Sequence, residues 1–305
     1  MALTKDRAYS GGRFGLELDG VLAGWVFKVS GGGTTADVVS EKIGPDHVIK
    51  KHLGGVKYEE IVVEAGLGMT KSFYQWIADS FDAKYSRKNG ATIAADFDYK
   101  EHGRTEFTYG LLSEITFPML DASSKDAAKI MVKIQAENTR TIKGSGKKIG
   151  VSSMAQKKQW LPANFRLDIP GLDCKYVNKI EPLVLKNKVV DNIVGELRDY
   201  QKEAAHGELG NLTVTIAESH ADSWYKWLDD FVVRGNCGED KEKSGSLAYL
   251  APDLKTELFT VSFSNLGIFK LGEEAIEAGA EGIRRVKAEL YVEKMHFDFN
   301  ALFKG

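Results

Sequence analysis

The stretch Ser72-Phe-Tyr-Gln-Trp-Ile-Ala-Asp79 recurs 151 residues later as Ser223-Trp-Tyr-Lys-Trp-Leu-Asp-Asp230, with the serine, tyrosine, tryptophan and final aspartate kept. Working outward, Phe14-Gly-Leu-Glu-Leu-Asp-Gly20 falls on Phe165-Arg-Leu-Asp-Ile-Pro-Gly171 at the same spacing. One spacing that holds over separated segments indicates a duplication rather than chance. The sequence therefore predicts one module used twice.

The repeat extends toward the end of each copy. At the same spacing Leu112-Ser-Glu-Ile115 falls on Phe263-Ser-Asn-Leu266. Only the last strand shifts, because residues 130–137 align with residues 286–293 after five inserted residues. The alignment predicts that this insertion lies just before the last strand.

Two domains and a linker follow from the repeat. A chain of 305 residues suits two ordinary domains, since single cores rarely grow beyond about 250–300 residues. The modules are predicted at residues 14–142 and 163–303. Residues 143–162 between them are rich in Gly, Ser and Lys, which is typical of a flexible linker with a span of about 25 Å.

Charge excludes a protein whose main task is binding nucleic acid, because 41 Lys and Arg nearly balance 43 Asp and Glu. The two halves differ in sign, however. Residues 1–160 carry 23 basic and 19 acidic side chains, or +4, while residues 161–305 carry 18 and 24, or −6. Opposite charges would favour contacts between unlike modules.

Cysteine usage and hydropathy indicate the compartment. Cys174 and Cys237 have neither CxxC nor Cys/His spacing, so reduced thiols are expected. The first residues are charged where a secretory signal would be apolar, and no run approaches the roughly 20 apolar residues of a membrane span. We expect assembly in the cytoplasm and no membrane partner.

Alternation with period two dominates each copy. Phe14, Leu16 and Leu18 alternate with small or polar residues, and Asp19-Gly20 is a strong hairpin-turn signal before the apolar stretch that follows. Six or seven such stretches occur per copy. The predicted fold class is mainly β, a β-barrel or two-sheet sandwich with one flanking α-helix, in two tandem copies.

One amphipathic helix interrupts the strands of each copy. Its apolar residues recur at helical spacing behind the candidate caps Thr70 and Asp222. A cofactor site could also use tryptophans, but an aromatic stripe of this kind is far more often core. The predicted core stripe is Phe73, Trp76, Ile77, Phe81, Trp224, Trp227, Leu228 and Phe231.

Catalytic motifs are lacking in the sequence. Gly144-Ser-Gly-Lys-Lys148 departs from a phosphate loop, since Thr141 stands where its first glycine is required. Asp96 and Asp98 share a strand face, without a further ligand nearby in sequence. The six histidines show no metal-binding spacing. We therefore predict a non-enzymatic protein with no cofactor and no metal, and an enzyme remains a minority hypothesis.

The segment from Val38 to Glu64, followed by Gly-Leu-Gly-Met-Thr and the aromatic helix, resembles the tube proteins of contractile phage tails and related injection systems, including Hcp-type proteins. These have a polar strand, a Gly/Pro loop, a basic-Leu-Pro-Gly turn, a basic-aromatic strand and a Trp-bearing helix. Here the turn is His52-Leu53-Gly54-Gly55, with Gly54 in place of the proline, and Lys57-Tyr58 follows.

The resemblance implies a six-membered ring of barrels that stacks into a tube, with the long loop after the second strand contacting the adjacent ring. The implied stacking residues are Pro45, Asp46, His47, Lys50, Lys51, Leu53, Gly54, Gly55, Lys57 and Tyr58. The second copy lacks this turn. Its nearest counterparts are Arg198, Tyr200 and Lys202.

The expected function is a structural subunit of an inner tube, whose partners are further copies of itself, sheath and baseplate proteins, and DNA or effector cargo in the lumen. Since each chain holds two modules, three chains would build one pseudo-hexameric ring. A specialised initiator or terminator ring, and an effector- or ligand-binding protein of the same fold, remain alternatives. Phage, secretion apparatus and extracellular injection particle also remain open.

Overall fold

The structure is a computed structural model that describes residues 12–42, 44, 48–150, 160–192, 199–274 and 283–303. The predicted mainly-β class is confirmed. The first half contains β1 (Arg13–Leu18), β2 (Val21–Ser30), β3 (Thr34–Glu41), β4 (Lys50–Tyr58), β5 (Ile61–Ala65), α1 (Lys71–Phe81), β6 (Lys88–Ala95), β7 (Glu101–Thr116), β8 (Leu120–Asp121), β9 (Ile130–Gln135) and β10 (Asn138–Lys143). The second contains β11 (Phe165–Asp168), β12 (Val177–Ile180), β13 (Val184–Asn192), β14 (Gln201–Leu209), β15 (Leu212–Ala217), α2 (Asp222–Leu228), β16 (Lys243–Leu250), β17 (Glu257–Glu273) and β18 (Arg285–Asp298).

The hairpin of β1 and β2 forms where the sequence predicts it. Asp19 and Gly20 both have positive φ angles, 49° and 81°, as a two-residue type I′ turn requires. Leu16 and Leu18 point into the core, because alternate residues of a strand share one face. This hairpin starts the first barrel.

Six strands of the first half close into a barrel. Their order is β7, β6, β1, β2, β5 and β9, and β9 pairs back onto β7. Both neighbours of each strand are antiparallel. The strand β10 continues along the early part of β7. The barrel therefore holds a continuous apolar interior, into which Leu16, Val63 and Ile134 point.

The second half repeats this order but stays open. Its sheet runs β11, β16, β17, β18, β15 and β12, the counterparts of β1, β6, β7, β9, β5 and β2. Among the described residues β11 and β12 do not pair with each other. Pro170 lies two residues after the end of β11 and has no amide hydrogen to donate to a ladder. The place beside β12 is taken by β8 of the first half.

The pairing corrects the predicted repeat register. Gly90 pairs with Phe107 in the first half, and Gly245 pairs with Phe263 in the second, so Phe107 and Phe263 are equivalent at a spacing of 156. Tyr109 and Asn265, also 156 apart, share a positive φ of 50° and 57°. Gly90 and Gly245 are themselves 155 apart, so four of the five inserted residues lie between α2 and β16. The fifth lies in the connection between β16 and β17, and none lies just before the last strand.

Among the described residues each half has one α-helix, and both α-helices end earlier than Asn89 or Gly235 would suggest. The helix α1 ends at Phe81, and Asn89 lies on β6. The helix α2 ends at Leu228 and continues as a wider turn over Asp229–Val233. Thr70 precedes α1 without a side-chain capping bond, while Asp222 is the first residue of α2 rather than its cap.

The described ends of the predicted linker are fixed to the two halves. Gly144 N–H donates to His102 O at 2.9 Å, and Ile149 N–H donates to Tyr99 O at 2.8 Å. Trp160 is buried and its ring lies 5.0 Å from that of Phe259. Residues 151–159 lie outside the described residues. The connection available to join the halves is therefore shorter than the predicted residues 143–162.

Replacing Gly31 with alanine should destabilise the first half. Gly31 has φ of +81°, and a Cβ there would lie 1.9 Å from Glu60 O, so strain and a backbone clash add together. We expect the free energy of unfolding, measured with urea, to fall by about 1–3 kcal/mol from the strain, and by more if the clash is not relieved. Gly20→Ala is the matched control, since Gly20 has the same φ and open space around it. Equal losses in the two variants would show that the clash is relieved.

Candidate functional site

The two halves are joined by a continuous antiparallel ribbon, in which residues 114–121 of the first half run beside residues 179–186 of the second. At one end Thr116 pairs with Val184. At the other Leu120 pairs with Ile180. Between them Phe117 N–H donates to Leu183 O at 2.9 Å. The first half thus receives β13, and the second half receives β8.

Phe117 lies at the centre of this joint. Its ring is fully buried among aromatic side chains of the second half. The centroid distances are 5.3 Å to Phe297, 5.8 Å to Tyr249 and 5.9 Å to Phe259. Aromatic pairs at such distances stabilise beyond the area that they bury. A residue of the first half therefore completes the core of the second.

The helix α1 adds a second contact between the halves. Tyr74 stacks on Phe299 at 6.0 Å, and Phe81 lies 6.1 Å from Phe297. Burial raises the pKa of Tyr74. At the rim, His296 Nδ1 lies 2.9 Å from Asp82 Oδ1, and this hydrogen bond lowers the pKa of the Asp82 carboxyl. The contact is apolar at its centre and polar at its edge, as in a protein interface.

Beyond the ribbon, the hairpin of β13 and β14 lies against the first barrel. Asn187 Nδ2 donates to Leu112 O at 2.8 Å and is buried there. Lys202 bonds through its main chain, where its N–H donates to Glu137 Oε1 at 3.0 Å and its O accepts from Arg87 at 2.8 Å. The second hairpin is therefore docked on a barrel that is not its own.

The equivalent hairpin of the first half, β3 and β4, forms a separate two-stranded sheet. It touches the second hairpin side by side. Tyr58 OH donates to Asp199 Oδ1 at 2.8 Å, and Asn138 Nδ2 donates to Tyr58 OH at 2.8 Å. A Cβ on Gly55 would lie only 2.5 Å from the hydroxyl of Tyr200, so this contact is close.

The implied stacking residues lie mainly on the strand β4. Pro45, Asp46, His47 and Arg198 lie outside the described residues. The residues on β4 are Lys50, Lys51, Leu53, Gly54, Gly55, Lys57 and Tyr58. Lys57 Nζ lies 2.6 Å from Asp37 Oδ2, and that hydrogen bond raises the pKa of Lys57. Tyr200 and Lys202 lie at the joint between the halves.

The first hairpin also exposes an apolar surface. Exposed apolar side chains are concentrated on its two strands and near its tip. They are Val38, Val39, Val48, Ile49 and Leu53. A two-stranded hairpin is marginally stable by itself, and its free edges can pair with another chain. We call the strand β3 together with residues 50–57 of β4 the free hairpin from here on, because among the described residues the outer edge of β3 pairs with no strand.

The predicted helix stripe lies against the core. Six of its residues belong to the buried cluster: Phe73, Trp76, Ile77, Trp224, Trp227 and Phe231. Phe81 and Leu228 are partly buried and pack against that cluster. The described residues contain no group of three His, Cys, Asp or Glu side chains suited to a metal ion. Asp96 instead accepts main-chain bonds from Asp98 and Lys100.

None of the helices that the structure describes is both long and apolar enough to cross a membrane. No protein-family model matches the chain, and no curated protein matches it by sequence.

Several solved structures resemble about half of the chain. One is from the PVC extracellular contractile injection system sheath-tube complex, with 18% identity and a TM-score of 0.40 over 46% of this chain and 94% of the other. Another is from the anti-feeding prophage tube-terminating cap, with 17% identity and a TM-score of 0.38 over 47% of this chain and 100% of the other. A third is Hcp1 from Flavobacterium johnsoniae, with 14% identity and a TM-score of 0.29 over 44% of this chain and 94% of the other.

The resemblance to tube proteins is thus confirmed as a likeness over about half of the chain.

Sequence reasoning missed the ribbon and Phe117. The local signal was two short apolar stretches around prolines, Phe117-Pro-Met-Leu120 and Pro182-Leu-Val-Leu185. Each follows a strand of its own module and contains a proline, which favours a loop. Their pairing is visible only in the folded chain.

Proposed function

We propose that this chain is a structural subunit of the inner tube of a contractile tail or injection system, and that three chains form one ring of six alternating modules. The ribbon between residues 114–121 and 179–186 carries the proposal. It joins two modules through main-chain bonds that depend little on side-chain identity. The same joint repeated between chains would extend the assembly in one direction.

The charges of the halves support alternation. A module of +4 would have a module of −6 on both sides, so that each lateral contact joins unlike charges and disfavours like neighbours. Sheath and baseplate proteins would bind outside such a ring and at its end, and DNA or an effector would occupy the lumen. Assembly in the cytoplasm precedes incorporation into the particle.

Native mass spectrometry of isolated rings tests the stoichiometry. We expect three chains of 33.7 kDa per ring, and electron microscopy should show six lobes around a lumen. Six chains per ring would contradict the alternation, and a persistent monomer would favour the ligand-binding alternative. The copy number in an intact particle separates a main tube subunit from a single initiator or terminator ring.

A further inference from the structure

One face of the first half is covered by the second half in the same chain. The hairpin of β13 and β14 covers the end of β7, and the tail of β18 covers α1. Tyr74 and Ile115 are fully buried. This covered face shows what a module-to-module contact looks like.

The corresponding face of the second half is open. Tyr225 is the counterpart of Tyr74 and is 38% exposed, and Val232, the counterpart of Phe81, is 47% exposed. On β17, Leu271 is half-buried where its counterpart Ile115 is fully buried. The helix α2 packs against β17. Burial, and to a smaller extent the charge of Glu273 at the end of β17, raises the pKa of Tyr225.

The end of β17 also has an unpaired edge. It pairs with β16 only as far as Leu266, while β18 pairs with its other side through Glu273. Among the described residues no strand pairs with residues 267–273 on the β16 side. In the first half the same edge of β7, beyond its last pairing with β6 at Gly110, is occupied by β13. Exposed Phe269 lies on this open edge.

The free hairpin lacks the contact that its counterpart has. On β13, Leu185 and Asn187 are buried against the first barrel. Their equivalents at the spacing of 151 are Thr34, which is exposed, and Ala36, which is half-buried. The next residue on that face, Val38, is exposed as well. The hairpin of β13 and β14 is therefore docked on the edge of β7. The free hairpin is docked on no such edge, and the equivalent edge of β17 is open.

We propose that the free hairpin of one copy docks on the second half of another copy and adds β3 to the open edge of β17. This inference rests on the proposed ring and names the surfaces that would close it. Both surfaces have their equivalents in the joint within the chain, so the partner is a second copy of the same chain. Strand addition to a free edge supplies main-chain bonds, and the exposed apolar side chains supply burial.

The joint within the chain fixes the register. Leu185 pairs with Ile115, and Lys186 pairs with Glu114. Residues of β3 are equivalent to those of β13 at a spacing of 151, and residues of β17 are equivalent to those of β7 at a spacing of 156. In the proposed contact Thr34 therefore pairs with Leu271 of the neighbouring copy, and Thr35 pairs with its Lys270. The contact is heterologous, since two different surfaces meet, and it forms a closed ring or an open filament according to its rotation.

Disulfide trapping tests this register. Thr35→Cys and Lys270→Cys are made in separate preparations, each with Cys237→Ser to remove the exposed native thiol. Cys174 stays, because burial raises the pKa of its thiol to about 11 and keeps it protonated. After oxidation the mixture should give linked pairs on a non-reducing gel, whereas each variant alone should stay unlinked. Glu114→Cys with Lys186→Cys in one chain is the positive control for the geometry.

A linked control without a linked mixture would overturn the inference. If wild-type rings of three chains are seen in that case, the proposed function stands and the ring closes elsewhere. If the mixture links but only open head-to-tail chains form, the inference stands and the proposed ring fails. A wild-type protein that stays monomeric and unlinked overturns both.

Val232→Glu tests the apolar part of the same surface. An exposed valine tolerates glutamate in the isolated chain, but a buried carboxylate in the contact is strongly unfavourable. We expect the association constant to fall at least about tenfold. Val21→Glu is the matched control, because Val21 is an exposed valine at the start of β2. Equal association by both variants would place the turn Asp229–Val233 after α2 outside the contact.

Discussion

Replacing Phe117 with alanine should lower the free energy of unfolding by about 3–5 kcal/mol, the cost of removing a large, fully buried aromatic side chain. The ring touches three aromatic side chains of the second half, so the cavity would open in the shared core rather than within one barrel. The second half should lose more stability than the first. Urea unfolding followed by tryptophan fluorescence measures this, since Trp160 lies beside Tyr249 and Phe259 in the same cluster.

Met119→Ala is the matched control, two residues along the same ribbon. Met119 is 41% exposed, and its truncation should cost no more than about 0.5 kcal/mol. A biphasic transition for Phe117→Ala alone would show that the halves unfold separately once the joint is weakened. Similar losses from the two substitutions would contradict the role given to Phe117, because they would mean that the ribbon's main chain holds the halves together.

Much of the fold was predictable from local patterns. The turn at Asp19-Gly20, the alternation of Phe14 and Leu16 and the aromatic helices each follow from residues close in sequence. The register after α2 was not predictable in this way. A bulge between Leu112 and Glu114 interrupts the alternation of β7, so buried residues follow one another there and the apolar pattern does not select one offset. Ser113 could therefore be aligned with Ser264 as readily as with Phe269. Only the pairing with a neighbouring strand selects the offset.

The candidate site was predictable to a smaller extent. The resemblance implied that the loop around residues 45–58 contacts another ring, and the exposed Val48 and Leu53 fit a contact surface. The joint between the halves carries no motif. It depends on Phe117 meeting Phe297, residues that are 180 positions apart, and no local period encodes such a pairing. The linker composition likewise gave no sign that Trp160 is buried in the second core.

Deleting residues 45–51 should leave the fold and the ring intact and stop the ring from stacking. Among the described residues the deletion removes exposed Val48 and Ile49 and the exposed basic residues Lys50 and Lys51 at the start of β4. The rest of β3 and β4, which the lateral contact requires, remains. Because these four residues are exposed, the urea midpoint should change little. Electron microscopy should show single rings where the unmodified protein forms tubes.

A second variant separates loop length from side-chain contact. Replacing residues 45–51 with seven glycine and serine residues keeps the chain length and removes the apolar and basic groups. If those groups bind the next ring, this variant should also give single rings, because a flexible loop loses more entropy on ordering and offers little area to bury. Tubes of normal length from either variant would make the tip an ordinary surface loop. Loss of rings as well as tubes would instead assign the tip to the lateral contact, and the stacking surface would then have to lie on the barrel rims.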